Sequence, residues 1–247
     1  MSQTVDRALD IIEFIADKPR SLGEIAQRQH VHKSTVLRLL QTLEGRGFAR
    51  RDSTGRYSVG FGMIGVSQRA LDALDIYPLA HPHLVALSAE LGHTLHLGQL
   101  VGDEVVYVDK VEGRGAVKMY SRLGGVAILH TSGVGKAILA HLEEPLRERL
   151  LGKVSLESYT PRSITTLAEL EHELERTRTR GWAEDDGEFE AEINCVAVPV
   201  RDSRGLVRNA VSLTALKALA SLETLRACVP RLTEVAEAIS AEYGWTR

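Results

Sequence analysis

The chain has 247 residues, 44% hydrophobic and 26% charged, which is the balance of a globular protein with room for two modest domains and not that of a disordered or fibrous one. No apolar run reaches the ~18 residues of a membrane span. The opening segment from Met1 to Asp17 mixes charge into its apolar residues, unlike a secretory signal, and the isolated Cys195 and Cys228 form no metal-type cluster or disulfide framework. The expectation is a cytoplasmic protein with no membrane contact. The net charge of -3 hides an asymmetry, because between Lys18 and Gly60 nine Lys/Arg stand against three acids, giving that segment +6 and the remainder -9. A basic segment on an acidic body suits a polyanion-binding module joined to another domain.

In chain order, Val5, Leu9, Ile12 and Ile15 recur at helical spacing and predict a helix from Thr4 to about Asp17, ended by Pro19. Ser21 followed by Glu24 is a capping-box pattern and opens a short second helix through Leu22, Ile25 and Ala26. The run from Gln29 to His32 reads as a turn. A third helix then carries Val36, Leu39, Leu40 and Leu43 on one face and stops at Gly45 and Gly47. Two strands, 48–51 and 56–59, flank Asp52-Ser53-Thr54-Gly55, a tight reversal. Three helices and a basic hairpin make a winged helix-turn-helix. Its third helix exposes Lys33, Ser34, Thr35 and Arg38 at the end that enters the major groove, while Arg50, Arg51 and Arg56 of the wing are placed to grip phosphates. A solvated charged face on a protein-interaction module is the competing reading.

Gly60-Phe61-Gly62-Met63-Ile64-Gly65 matches the dinucleotide-binding glycine pattern. It follows a wing strand, however, and leads into helix with no second strand within ~30 residues, so a connecting helix from about Phe61 to Leu74 is the better reading. Pro78 and Pro82 punctuate the start of another helix that Gly92 closes. Strands are predicted at 93–100, 105–111 and 117–120. Ile128 to Ala137 leads into a helix through Leu142, and its Gly135-Lys136 pair resembles a phosphate loop. His130 stands where that loop needs glycine and Ala137 where it needs a hydroxyl, so nucleotide hydrolysis is rejected. What remains is a glycine-rich approach to a helix N-terminus, suited to a small anion. A charged helix from Leu167 to Arg180, an acidic stretch, strands at 195–200 and 206–213, and a final helix from Leu222 to Tyr243 complete an α+β domain on an antiparallel sheet.

Five blocks in order resemble the isocitrate-lyase-regulator (IclR) family of bacterial transcription regulators. They are Leu22 to Ala26; Lys33 to Leu43; Tyr57 to Gly60; Leu129 to Ala137; and Gly181 to Asp186 with Cys195 to Val200 beyond. The resemblance implies a winged helix-turn-helix over residues 1–60, a linker helix over 61–76 and a GAF-like effector domain over 77–247. It also implies homodimers formed through the N-terminal half that pair into homotetramers. Carried over position by position, an effector's anionic end would meet the backbone N–H groups of Val134 and Gly135. Asp185, Cys195, Ser212 and Thr214 would supply polar side chains, and His130, Met119 and Leu123 would complete the wall. Thr214 stands where the family often has serine, and its extra methyl narrows the pocket.

Ser212 and Thr214 lie two apart on a strand and so share a face. Cys195 as a nucleophile would need a histidine base, and no nearby spacing supplies one. The expectation is therefore a regulator and not an enzyme, with no cofactor or metal. It binds a double-stranded DNA operator as a repressor and senses a small organic, aromatic included, acid. The alternative is a sensor acting through protein partners.

Overall fold

A computed structural model describes residues 3–72, 76–114 and 121–246. The chain divides into two compact units, Met1–Ala73 and Leu74–Arg247.

The first unit is built from α1 (Gln3–Asp17), α2 (Leu22–Arg28), α3 (Lys33–Gly45), the hairpin strands β1 (Ala49–Arg51) and β2 (Tyr57–Val59), and α4 (Phe61–Asp72). Ile11 and Ile15 of α1, Ile25 of α2, and Val36, Leu40 and Leu43 of α3 are buried together with Tyr57. The capping box at Ser21 and Glu24 forms as its sequence predicts. The wing is tied down from the other side by Arg20, which exchanges two backbone hydrogen bonds with Tyr57 at 2.9 and 2.7 Å. Gly60 and Gly62 have a packing role. A Cβ on either would stand within 2.7 Å of the Gly47 carbonyl oxygen, so only glycine lets the wing's exit lie against the end of α3.

The turn before α3 contains His30 in the left-handed region, at φ 52°. His32 caps the helix, its Nδ1 accepting from the Ser34 backbone N–H at 3.3 Å and lying 2.9 Å from the Ser34 hydroxyl. One ring nitrogen thus serves the free donors of the first turn, the task usually given to Ser, Asp or Asn.

The second unit contains α5 (Tyr77–Leu91), β3 (Thr94–Val101), β4 (Glu104–Val111), β5 (Val126–Ala127), α6 (Gly133–His141), α7 (Glu144–Leu151), α8 (Leu167–Arg180), β6 (Ala183–Asp186), β7 (Ile193–Arg201), β8 (Val207–Leu216), α9 (Leu222–Ala227) and α10 (Val229–Glu242). The six strands form one antiparallel sheet in the order β5-β4-β3-β8-β7-β6. Strand alternation divides its side chains between two cores. Leu95, Leu97, Val196, Val198, Val211 and Leu213 pack with α5, α9 and α10 on one face. Ala197 and Ala210 pack with Val134, Ala137 and Ile138 of α6 and with Leu170 and Leu174 of α8 on the other.

Four local expectations are revised. The acidic stretch after Trp182 is an edge strand, β6, and α7 is a helix that the sequence pattern did not suggest. The predicted final helix is two, parted at Cys228, because Pro230 cannot donate a backbone hydrogen bond and so starts a new helix. Pro82 lies inside α5, not at its start. The strand expected at 117–120, with Met119, lies outside the described residues.

The His32 cap has a measurable consequence. His32→Ala should speed amide exchange across the first turn of α3 by roughly fivefold, which corresponds to a cap of about 1 kcal/mol. His32→Asn, which keeps an acceptor, should not. Equal exchange in all three proteins would show that the cap contributes nothing.

Candidate functional site

In the first unit, Lys33, Ser34, Thr35 and Arg38 are exposed along the N-terminal half of α3. Arg50 and Arg51 are exposed on β1, each lightly held. Arg50 donates to the Val59 carbonyl at 3.3 Å and lies over the Phe61 ring, while Arg51 donates to the Gly55 carbonyl at 3.4 Å and lies near the Tyr57 ring. Arg56 departs from the expectation. Its guanidinium donates to Glu24 Oε2 at 2.8 Å and to the Pro19 carbonyl at 3.1 Å, so it fastens the wing to α2. The charge expected to grip a phosphate is already neutralised inside the unit.

In the second unit the sheet register assembles the other constellation. Asp185 pairs with Cys195 and Cys195 with Thr214 across β6, β7 and β8, while Ser212 pairs with His96 of β3 one step along. All point to the face covered by α6. That helix lies close on the sheet, since a Cβ on Gly133 would be 2.8 Å from the Cys195 sulfur. Between them is an inner chamber of about 60 Å³ whose walls include His96, Val134, Asp185, Cys195, Ser212 and Thr214. Tyr107, Ser121, Ser132, Phe189 and Glu190 border both this space and an outer chamber of about 290 Å³, lined further by Arg122, Val126, Ala127 and Ile128.

Burial sets the charge state of the inner chamber. His96 is held neutral, its pKa lowered to about 3 by burial and by the nearby Lys110 charge. Its Nε2 lies 2.7 Å from the Ser121 hydroxyl, and its Nδ1 lies 3.4 Å from the hydroxyls of both Ser212 and Thr214. Burial, reinforced by Asp185, pushes the Cys195 thiol up to about 12, so it is a neutral thiol, the opposite of an activated nucleophile. Tyr107 is also raised by burial. Asp185 is raised to about 6 by burial, against the pull of Lys136. Its Oδ1 accepts the Glu188 N–H at 2.6 Å.

Lys136 is fully buried on α6 and contacts the Glu188 carboxylate. Burial raises Glu188 to about 7 despite that contact. The 187–190 loop is held from outside by hydroxyls: Thr160 Oγ1 donates to the Gly187 carbonyl at 2.7 Å and Ser163 Oγ to the Glu188 carbonyl at 2.6 Å.

Some carried-over positions fall elsewhere. The Gly135 N–H donates to Ser132 Oγ at 3.1 Å, so it is occupied by the cap of α6 and does not face a ligand. His130 stands behind the wall. Its Nε2 lies 3.0 Å from the Glu157 carbonyl and its ring stacks near Tyr159, which in turn meets Phe189 edge-on. Leu123 is exposed and outside both chambers. Met119 lies outside the described residues. The sequence reading missed His96, Tyr107, Ser121, Phe189 and Glu190. The only local signal was a histidine between Leu95 and Leu97 in a strand whose other face is apolar.

Asp185 binds its proton more tightly folded than unfolded, where the ordinary value is 3.8. Stability from the protonated form is therefore present below about pH 4 and is lost as the pH rises through about 6. Asp185→Asn cannot ionise yet still accepts the Glu188 N–H. It should raise the stability of the second unit at pH 7.5 by roughly 2–3 kcal/mol over the parent and by little at pH 4. Urea unfolding followed by tryptophan fluorescence reads this unit alone, because Trp182 and Trp245 both lie in it. A gain equal at both pH values would exclude ionisation as its cause.

Two family profiles match this chain: the IclR helix-turn-helix domain over residues 4–53 and the bacterial transcriptional regulator IclR C-terminal domain over residues 68–241. The HTH-type transcriptional regulator KdgR of Escherichia coli (strain K12) is 32% identical, over 98% of this chain and 93% of its own. The transcriptional repressor IclR of the same organism is 31% identical, over 86% and 79%. The crystal structure of the Thermotoga maritima IclR superposes with a TM-score of 0.89 at 35% identity, over 98% of this chain and 99% of that one. These relatives are transcriptional regulators, not enzymes. The chain belongs to the IclR family of bacterial transcriptional regulators, with a helix-turn-helix DNA-binding domain ahead of the IclR C-terminal domain.

Proposed function

We propose that this regulator is a repressor whose C-terminal unit, residues 77–247, binds a small organic acid, and that the acid alters operator binding by residues 1–60 through the connecting segment at 61–76, which begins with α4. The observation that carries the ligand class is the two-part chamber. An inner space of about 60 Å³ holds a carboxyl group and little more, and its lining offers neutral donors from His96, Cys195, Ser212 and Thr214. The outer space of about 290 Å³, bordered by Tyr107, Phe189 and Ile128, takes an organic body, an aromatic ring included. Asp185 supports the acid as guest in one particular way. Two carboxyl groups at close quarters cannot both ionise, so a carboxylate enters with a proton shared between it and Asp185. Val134, at the start of α6, brings the positive end of the helix to the same chamber.

The operator reader is Lys33, Ser34, Thr35 and Arg38 of α3, with Arg50 and Arg51 of the wing on the phosphates. Repression is supported by a relative named as a repressor. A homodimer is supported by the apolar side chains that Val5 and Leu9 of α1 and Phe61 and Ile64 of α4 present to solvent, and by the two-fold symmetry that such readers share with their operators.

Pyruvate and 4-hydroxybenzoate, as a compact and an aromatic probe, should raise the melting temperature of the parent and should do so more at pH 6 than at pH 8. Ser212→Ala should abolish the rise while leaving DNA binding intact. Failure of both probes and of a wider carboxylate panel, in a protein that still shifts DNA, would overturn the organic-acid reading.

A further inference from the structure

The arginines of the first unit differ in what they have for company. Arg20 lies over the Phe14 ring and near Glu24, Arg56 is joined to Glu24 and Pro19, and Arg50 and Arg51 rest on carbonyls and rings of the wing. Among the described residues, no ion pair or side-chain hydrogen bond occupies Arg7 or Arg38. These two share a groove of about 370 Å³ between the first turns of α1 and the exposed side of α3, with Thr4, Ser34 and Thr35 also on its walls and no carboxylate among its lining residues. The acids of α1, Asp6, Asp10, Glu13 and Asp17, border a separate depression that also reaches Arg7. Thr42 at the far end of the groove is satisfied by the Arg38 carbonyl.

Two unneutralised guanidinia facing one groove repel each other and leave their donors to water until an anion arrives. Arg38 belongs to the helix that enters the major groove. A side chain beside that helix, on α1, then lies over the phosphates that border the groove, where a planar fork of donors binds best. We infer that Arg7 of α1 is a DNA phosphate-gripping residue, extending the operator contact beyond α3 and the wing and holding the helix in register while Arg38 meets the bases. This rests on the reading of α3 as the operator reader. It also replaces the phosphate contact that Arg56, turned to Glu24, does not offer.

Fluorescence anisotropy of the full chain with two labelled 30-bp duplexes, one from upstream of its own gene and one scrambled, between 50 and 200 mM KCl, tests it. Arg7→Ala should weaken both duplexes by the same factor, about tenfold or more at 100 mM, and should reduce the slope of log affinity against log salt by about one per protomer. Arg7→Lys should keep the slope of the parent. A parental slope for Arg7→Ala, or loss confined to the upstream duplex, would overturn a phosphate role. So would an Arg7→Lys protein as impaired as Arg7→Ala, since that marks a structural part for the guanidinium in α1. If the parent binds neither duplex, the assignment of α3 fails first and the Arg7 contact falls with it.

Discussion

The second unit depends on a single close approach, α6 packed against the sheet with a wholly buried lysine one turn into it. Gly133 lets the first turn of the helix come within contact of Cys195 and Ala197, and Lys136 one turn later is wholly enclosed and faces Glu188. A buried ammonium without a partner costs several kcal/mol, so the 187–190 loop has to fold back to supply a carboxylate. That requirement closes the chamber, because the loop carrying Glu188 also carries Phe189 and Glu190 into its wall. Thr160 and Ser163 hold the same loop from outside by its carbonyls. The ion pair is thus best understood as fixing where the wall stands, and less as a source of net stability.

The same burial explains why the inner chamber contains titratable groups and yet little charge. Histidine, thiol and phenol are all kept neutral by desolvation, and each then has a donor or lone pair to offer a guest. The cations nearby are engaged: Lys136 with Glu188, and Lys110 with Glu112 and the Ser121 carbonyl. An anion entering here is met by hydrogen-bond donors and a helix terminus. Of the groups lining it, Asp185, raised to about 6, can change its charge in response, and Glu188 behind the wall, raised to about 7, can do so too. On the organic-acid reading proposed above, the inner chamber would take an acid together with a proton, because its own lining holds Asp185 and no guanidinium.

Much of the first unit was legible because its signals are local. The capping box at Ser21, the apolar stripe of α3 and the glycines around Gly45 each act within a few residues, and the structure follows them closely. The tasks of side chains that reach across the fold were not legible. Nothing near Arg56 announced that Glu24, thirty-two positions away, would claim it, and nothing near Lys136 announced Glu188. The dinucleotide-like glycines illustrate the difference. Their spacing is that of a phosphate loop, but two of them are glycine because the Gly47 carbonyl leaves no space for a Cβ. In the second unit, Asp185, Cys195, Ser212 and Thr214, which line the inner chamber, were named through the family resemblance, and His96 beside them was not. Its membership follows from the β3–β8 register, a long-range pairing that sequence periodicity does not determine.

Register also bears on how a ligand signal can leave the chamber. Asp185, Cys195, Thr214 and His96 lie on the four strands β6, β7, β8 and β3, which a continuous ladder holds rigidly. The rest of the enclosure is the start of α6 together with a loop held by hydroxyls at its carbonyls and by one ion pair at its side chain. A guest that brings a proton to Asp185 changes the partner of the Glu188 N–H from a carboxylate to a neutral acid, and it does so at the loop and not in the sheet. A ligand shifts an equilibrium only by its unequal affinity for the two states, and couplings of about 1–3 kcal/mol are typical. The loss of one charged hydrogen bond to a buried loop is of that size. On the reading proposed above, the loop wall is therefore where ligand binding would be joined to a change of state, while the sheet ladder would keep the recognition geometry constant.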